Sequence, residues 1–183
     1  MIRLFAALAV PPEIGRALQS RQTGIDGARW RPLEAFHVTL RFFGEVRQDV
    51  ARDLDEALLH VVARPFEIVL DSVGSFSDSD GPSAVWAGVQ ANPALLRLAS
   101  ACERAARDAG MEADARRYRP HVTLAYLRRQ NPTQVALWLE THARLLSPPI
   151  PVTGFGLYSS QLSPEGSHYR LEAEYPFAQA GAA

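Results

Sequence analysis

The sequence His-Val-Thr-Leu at residues 37–40 occurs a second time at residues 121–124. In a β-strand, side chains two residues apart point to the same face. Each copy therefore places a histidine beside a threonine, while its valine and leucine turn toward the core. Two such strands brought together would form one small site with two acid/base groups and two hydroxyl donors.

The four polar side chains of the repeat, His37, Thr39, His121 and Thr123, suit phosphate chemistry. A neutral imidazole can take a proton from water while a protonated one gives a proton to the departing oxygen. The hydroxyls can donate to phosphate oxygens, where negative charge accumulates. A cyclic phosphate fits well, because ring strain makes it reactive without a metal. One such histidine is more often structural, but two copies with identical neighbours predict a catalytic pair.

Composition is that of a globular protein with 183 residues, 47% of them hydrophobic and 21% charged. This length predicts a single domain, residues 1–183, with a frayed tail at 178–183. No apolar run approaches the ~20 residues of a membrane helix. We interpret the apolar residues 1–10 as a buried first strand rather than a signal peptide. The single Cys102 excludes an internal disulfide and, with that interpretation, predicts a cytoplasmic protein.

All 19 basic residues are arginine. Without lysine there is no Schiff base, Walker-type phosphate lysine or nucleotidyl-lysine intermediate. The net charge of -1 argues against a surface that is basic throughout. Residues 114–129, however, contain five arginines and one aspartate around the second repeat. This basic rim predicts a small anionic ligand or a strand end, the alternative being a solvated run of charge.

Hydrophobic periodicity and breaker residues predict alternating helices and strands. The predicted helices are 11–23, 48–62, 93–109 and 133–146. The predicted strands are 1–10, 28–30, 37–43, 66–70, 84–89, 121–127, 152–160 and 168–174. Residues 74–83, rich in Ser, Asp and Gly, are predicted to form a loop, and 164–166 a turn.

The order of elements predicts an α+β fold, since no Gly-rich phosphate loop follows any strand. In each half a strand and a helix precede the repeat strand, which leads into another helix. We therefore expect two pseudo-symmetric lobes, each an antiparallel sheet with helices outside, flanking a central cleft. One repeat strand from each lobe would form the cleft floor.

The sequence resembles the two-histidine (2H) phosphoesterases, and within them the LigT-like RNA 2′,3′-cyclic phosphodiesterases, also called 2′-5′ RNA ligases. The resemblance rests on residues 3–8, 29–30, 36–46, 119–124 and 157–166. It implies hydrolysis of 2′,3′-cyclic phosphate ends of RNA to 2′-phosphomonoesters, without cofactor or metal. It also implies an ATP-independent 2′-5′ ligase activity, in which a 5′-hydroxyl replaces water. His37 would be the proton donor to the leaving 3′ oxygen, and His121 the base that activates water.

The chain departs from many relatives at Tyr126, where they carry an arginine that clamps the phosphate. Three arginines are candidates to replace it: Arg128 or Arg129 from the strand end, or Arg41 from the other lobe. Arg41 shares a strand face with His37, although an ordinary surface arginine is as good an interpretation.

Further substrate-binding candidates are Tyr158 and Ser160, on one face of a late strand, and Phe5, which could stack on a base. For Tyr158 and Phe5, packing in the core is the competing interpretation.

A metal site held by the two histidines is disfavoured, because no carboxylate or cysteine stands at ligand spacing. The expected partner is RNA with 2′,3′-cyclic phosphate or 2′-phosphate ends. We expect a monomer, because no feature of the sequence requires a higher oligomer. Two alternatives stay open: an enzyme for small cyclic nucleotides or 2′-5′ oligonucleotides, and a non-catalytic module that binds RNA ends.

Overall fold

The protein is described by a computed structural model that covers residues 1–163 and 166–178, without the side chains of residues 162, 163, 166 and 167. The strands are β1 Ile2–Ala9, β2 Arg29–Trp30, β3 His37–Val46, β4 Phe66–Ile68, β5 Leu70–Asp78, β6 Gly81–Val89, β7 His121–Tyr126, β8 Ile150–Val152, β9 Gly154–Ser163 and β10 Gly166–Pro176. The α-helices are α1 Pro12–Gln19, α2 Gln48–Leu59, α3 Pro93–Asp108 and α4 Pro132–His142, and a 3₁₀ turn spans Leu33–Ala35. The turn predicted at 164–166 and the tail predicted at 178–183 lie largely outside the described residues.

Eight strands form one antiparallel sheet in the order β10-β9-β1-β3-β7-β6-β5, with β2 paired to β7. A single register pair, Val38 with Val122, joins β3 to β7. The sheet therefore divides into two lobes, β10-β9-β1-β3 and β2-β7-β6-β5, that meet at the repeat strands. β4 and β8 form a separate two-stranded sheet. This is the predicted α+β fold with antiparallel sheets in two lobes.

The two lobes are not the two halves of the sequence. β2, from the first half of the chain, pairs with β7 in the second lobe. β9 and β10, from the end of the chain, complete the first lobe by pairing beside β1. Residues 4–8 of β1 are all buried, and the buried N–H and C=O groups of such a strand need hydrogen-bond partners at both edges. β3 alone supplies one edge, so the chain returns with β9 to supply the other.

The helices pack their apolar faces on the sheet and on each other. α3 begins at Asn92, whose side chain accepts hydrogen bonds from the N–H groups of Ala94 and Leu95. It packs against α2 and β3, and α4 packs against β5 and β6. Leu96 of α3 does not join this packing and is 47% exposed. None of the described helices is long and apolar enough to cross a membrane.

Three helices end three or four residues earlier than predicted. α1 ends at Gln19 rather than residue 23, α2 at Leu59 rather than 62, and α4 at His142 rather than 146. At α1 the reason is tertiary: the Gln22 side-chain amide donates to the carbonyl oxygens of Arg31 and Leu124, at 2.7 and 3.2 Å. That contact holds the chain in a turn against β2 and β7.

The loop predicted at 74–83 is wrong, because these residues belong to the β5–β6 hairpin. Gly74 pairs with Trp86, and a Cβ added at Gly74 would lie 2.2 Å from the Trp86 ring. The missing side chain is what lets the indole lie across β5. The turn itself is short, closed by the Asp80 N–H donating to the Asp78 carboxylate at 2.9 Å, with Gly81 at φ +109°. Small polar residues here form a strand, not a loop.

Gly44 does not end β3 as predicted. The register changes from Leu4 opposite Gly44 to Phe5 opposite Phe42, which leaves Phe43 as an unpaired bulge residue. The bulge reverses the sheet faces to which the side chains of Phe42 and Phe43 point. Phe42 lines the cleft while Phe43 is buried at 7% exposure, the reverse of strict alternation.

Candidate active site

A cleft of about 1800 Å³ lies between the lobes, and all four polar side chains of the repeat line it. The geometry follows from the strand pair at its floor. Val38 and Val122 lie opposite each other, and both are fully buried. The polar residues on either side of each valine therefore project to the other face, into the cleft. The antiparallel register directs each histidine toward the threonine of the other strand.

His37 sits in an aromatic pocket. Its ring lies 4.7 Å from Phe5 and meets Tyr169 edge-on at 5.1 Å, between ring centroids. Burial lowers the pKa of His37 to about 4; a hydrogen bond to the Ala35 backbone opposes this, and the charges of Arg31 and His121 add to it. With no ligand in the cleft, His37 is therefore neutral near pH 7.

His121 occupies a similar environment in the other lobe. Its ring meets Phe76 edge-on at 4.9 Å and lies 6.0 Å from Trp86. Nδ1 is 2.6 Å from the carbonyl oxygen of Arg119. Burial lowers the pKa of His121, and that hydrogen bond partly offsets the effect. A neutral ring that donates from Nδ1 to this carbonyl keeps a lone pair on Nε2, which is the form a general base needs.

The two histidines are held in the same way, since each bonds to the backbone two residues before it, at Ala35 and at Arg119. They are close enough for charge on His121 to lower the pKa of His37. An anion between the rings would favour protonation of either one. The site can thus hold one neutral and one protonated imidazole once a phosphate is bound, with Thr39 and Thr123 beside it as hydroxyl donors.

Positive charge surrounds this pair. Exposed or partly exposed arginines line the cleft at positions 3, 29, 104, 116, 117 and 119. Arg31 also lines it but is only 7% exposed. Sequence reasoning missed Arg31. A signal was present, since Arg29 and Arg31 flank Trp30 in a two-residue period that puts both guanidinium groups on one face.

Only some of the predicted substrate-binding residues line the cleft. Phe5 and Ser160 line the cleft. Tyr158 stacks on Phe5 at 5.4 Å, away from the cleft lining, and burial, followed by the charge of Glu174, raises its pKa. Their contacts with substrate stay predictions.

Arg41 lines the cleft, but acidic groups already hold it. Its Nε lies 2.5 Å from the Glu103 carboxylate and its Nη1 3.4 Å from Asp114. Nη2 donates to the Glu112 carbonyl at 2.9 Å. A phosphate would have to compete with these partners for the guanidinium.

The other two candidates for the missing clamp lie beyond the end of β7. Arg128 and Arg129 are exposed, and neither is among the residues that line the cleft. Arg129 has φ +58°, in the tight turn that leads to α4. Tyr126 itself lines the cleft, with the Arg31 guanidinium 5.4 Å above its ring.

No three His, Cys, Asp or Glu side chains come together as a metal site in the part of the chain that the structure describes. Cys102 is buried in α3, and burial raises its pKa to about 12. That thiol is therefore not a ready nucleophile or ligand.

Comparison with known proteins places this geometry in a family. The sequence model of the 2′-5′ RNA ligase superfamily matches residues 10–163. An RNA 2′,3′-cyclic phosphodiesterase of Archaeoglobus fulgidus is 30% identical over 172 residues, which cover 92% of this chain and 97% of that protein. A Thermus thermophilus protein of the same name is 33% identical over 189 residues, covering 93% and 87%.

Solved structures share the fold over nearly the whole chain. The crystal structure of TT0787 from Thermus thermophilus has a TM-score of 0.76 at 26% identity, covering 98% of this chain and all of that one. The Escherichia coli LigT structure complexed with 3′-AMP has a TM-score of 0.76 at 25% identity, covering 97% and 99%.

Proposed function

The chain belongs to the 2′-5′ RNA ligase superfamily, and from that membership we propose that it is an RNA 2′,3′-cyclic phosphodiesterase. The observation that carries the proposal is the strand pair at Val38 and Val122, which puts two imidazoles and two hydroxyls into one cleft. The names of full-length relatives at 30% and 33% identity support the same activity.

We propose a mechanism in which the two histidines divide the proton transfers. His121, neutral, takes a proton from water as the water oxygen bonds to phosphorus. The bond from phosphorus to the 3′ oxygen breaks, and protonated His37 gives its proton to that oxygen. The products are a 2′-phosphomonoester and a 3′-hydroxyl. Thr39 and Thr123 donate to the equatorial oxygens, where charge builds up, and each proton transfer contributes roughly 10²–10⁴-fold. No metal takes part in this scheme.

The expected substrate is the end of an RNA chain rather than a mononucleotide. The cleft is larger than a single phosphate requires, at about 1800 Å³. Arginines at positions 116, 117 and 119 line it on the side of the second lobe, where phosphates further along an RNA strand would bind them. An ATP-independent 2′-5′ ligase activity would use the same groups, with a 5′-hydroxyl in place of water. Monomeric state and cytoplasmic location stay predictions.

The experiment is hydrolysis of an oligonucleotide with a 2′,3′-cyclic phosphate end, in EDTA, with identification of the hydroxyl that keeps the phosphate. We expect turnover in chelator and a 2′-phosphate product. The same assay with cyclic mononucleotides and with 2′-5′-linked dinucleotides tests the alternative substrates, and the protein is a binding module if RNA ends bind without product. Strict dependence on added metal, or a 3′-phosphate product, would reject the mechanism.

A further inference from the structure

A nearly buried arginine, Arg31, lines the cleft, and its guanidinium lies against the Tyr126 ring. We infer that Arg31 is the residue that binds the non-bridging phosphate oxygens of the substrate, with Tyr126 and Tyr169 holding its guanidinium in place. This inference rests on the proposed function and assigns one more substrate-binding residue to it.

Burial singles out this side chain. Within residues 1–163 and 166–178, Arg31 is the only charged residue classed as buried, at 7% exposure. It has no carboxylate partner among the ion pairs of those residues. A buried charge is normally paired, because leaving water is unfavourable for an ion. An anion bound in the cleft would complete the pairing.

The surroundings of Arg31 orient it rather than neutralise it. Its Nη2 donates to the Tyr169 hydroxyl at 2.9 Å. Its guanidinium carbon lies 5.4 Å from the centre of the Tyr126 ring and 5.3 Å from that of Tyr169. Aromatic faces attract a cation without removing its charge. In the described residues, three buried side-chain atoms lack a hydrogen-bond partner, and none of them belongs to Arg31. The N–H groups of Arg31 that make no hydrogen bond therefore reach solvent, through the cleft that this residue lines.

The backbone fixes Arg31 to the second repeat itself. Its N–H donates to the Leu124 carbonyl at 2.8 Å, one residue beyond Thr123. Its own carbonyl accepts from the Gln22 amide at 2.7 Å. In the β2–β7 register, Trp30 pairs with Ala125 and Arg29 with Tyr126. The backbone of Arg31 thus directly follows β2 and lies opposite Leu124, and its side chain reaches the Tyr126 ring.

Two further observations place Arg31 at the reacting phosphate. Its charge acts on His37, lowering the pKa of that ring, so the two groups face the same space. Of the three arginines that the sequence offered as candidates, Arg41 is held by Glu103 and Asp114, and neither Arg128 nor Arg129 lines the cleft. A planar fork of donors suits two phosphate oxygens at once.

The test compares R31Q, R31K and the double variant R31Q/Y126R with wild type, using a 2′,3′-cyclic-phosphate dinucleotide. Losing one charged donor to the transition state should lower kcat/KM by roughly 10²–10³-fold in R31Q. R31K should be impaired as well, since an ammonium lacks the fork. Restoring a guanidinium at the neighbouring position should make R31Q/Y126R at least about tenfold faster than R31Q, an effect a merely structural role would not give. R52Q, on the exposed face of α2, is the control for loss of one positive charge.

Binding of inorganic phosphate, measured by calorimetry, gives a readout that does not need turnover. We expect weaker binding in both R31Q and R31K and unchanged binding in R52Q. Near wild-type kcat/KM and phosphate affinity in R31K and R31Q would overturn the inference while leaving the proposed function intact. If R31Q fails to fold by thermal unfolding, R31K decides by the same criteria. If wild type hydrolyses no cyclic phosphate, the proposed function fails, and the phosphate titration alone decides for Arg31.

Discussion

Each repeat histidine lies in a pocket whose burial disfavours the charged form of its ring. Aromatic rings cover both imidazoles: Phe5 and Tyr169 at His37, and Phe76 and Trp86 at His121. Removing water from a ring disfavours its charged form, which is why both pKa values are lowered. The pocket of the proposed acid therefore works against its protonation, and the substrate's negative charge has to restore it.

This environment predicts the pH dependence. The pKa of His37 is lowered to about 4 and that of His121 lies below 6.5. Because kcat/KM reports the free enzyme, its bell-shaped profile should peak below pH 6.5. The profile of kcat should lie at higher pH, since the bound phosphate raises the pKa of both rings. Initial rates across pH 4 to 9 measure both, and a kcat/KM maximum above pH 7 would contradict the burial argument.

At residue scale the sequence predicted that the four polar side chains of the repeat share one site, and they line one cleft, whereas it did not single out Arg31. The repeat is local information, because strand period alone decides which side chains share a face. The burial of Arg31 depends on β2 reaching across to β7 and on Tyr169 arriving from β10. Those contacts join distant parts of the chain, and the composition of the chain does not predict them.

Among the elements, the β5–β6 hairpin departs from its sequence-based prediction in a way that affects the site. Its glycine and serine residues are typical of a loop, yet they form long paired strands, and the absence of a side chain at Gly74 leaves room for the Trp86 ring. The indole in turn lies against His121. Likewise, the alternation of residues along β3 could not predict the bulge at Phe43, because the pairing with β1 determines it.

We expect G74V to damage both stability and activity. The new side chain would overlap the Trp86 ring, whose atoms lie 2.2 Å from the position of a Cβ. Overpacking of this kind costs about 1–3 kcal/mol in the free energy of unfolding, and displacement of the indole should lower kcat by moving His121. Urea unfolding and steady-state kinetics measure the two effects. S75A, at the next position of β5, is the control, and wild-type stability in G74V would contradict the packing described.

At the scale of the whole molecule, the two halves of the large sheet meet at the cleft floor. A single register pair joins β3 to β7, and the Arg41 contacts with Glu103 and Asp114 link β3 to α3 and to the segment before β7. The hydrogen bond from the Arg116 side chain lowers the pKa of Asp114 to about 2, against the opposing effect of burial and with the help of the charges of Arg116 and Arg41. The Asp114 carboxylate therefore stays charged near neutral pH.

The overall architecture was predictable because the two repeats imply two similar lobes. The exchange of strands between the lobes was not. β9 and β10 follow the second repeat but complete the first lobe, since the buried strand β1 needs a partner on its free edge. Such pairing is decided by which exposed edge is available in three dimensions, not by order along the chain.

The central claim is that His37 and His121 act on one phosphate with different roles. The most direct measurement uses H37A and H121A with two substrates: a 2′,3′-cyclic-phosphate dinucleotide, and the p-nitrophenyl diester of a nucleoside 2′-phosphate, whose leaving group departs without a proton. Both variants should lose at least roughly 10²-fold on the dinucleotide. On the p-nitrophenyl diester H37A should recover most of its rate while H121A should not. Equal losses of both variants on both substrates would contradict the division of roles, and full activity of either on the dinucleotide would contradict the account as a whole.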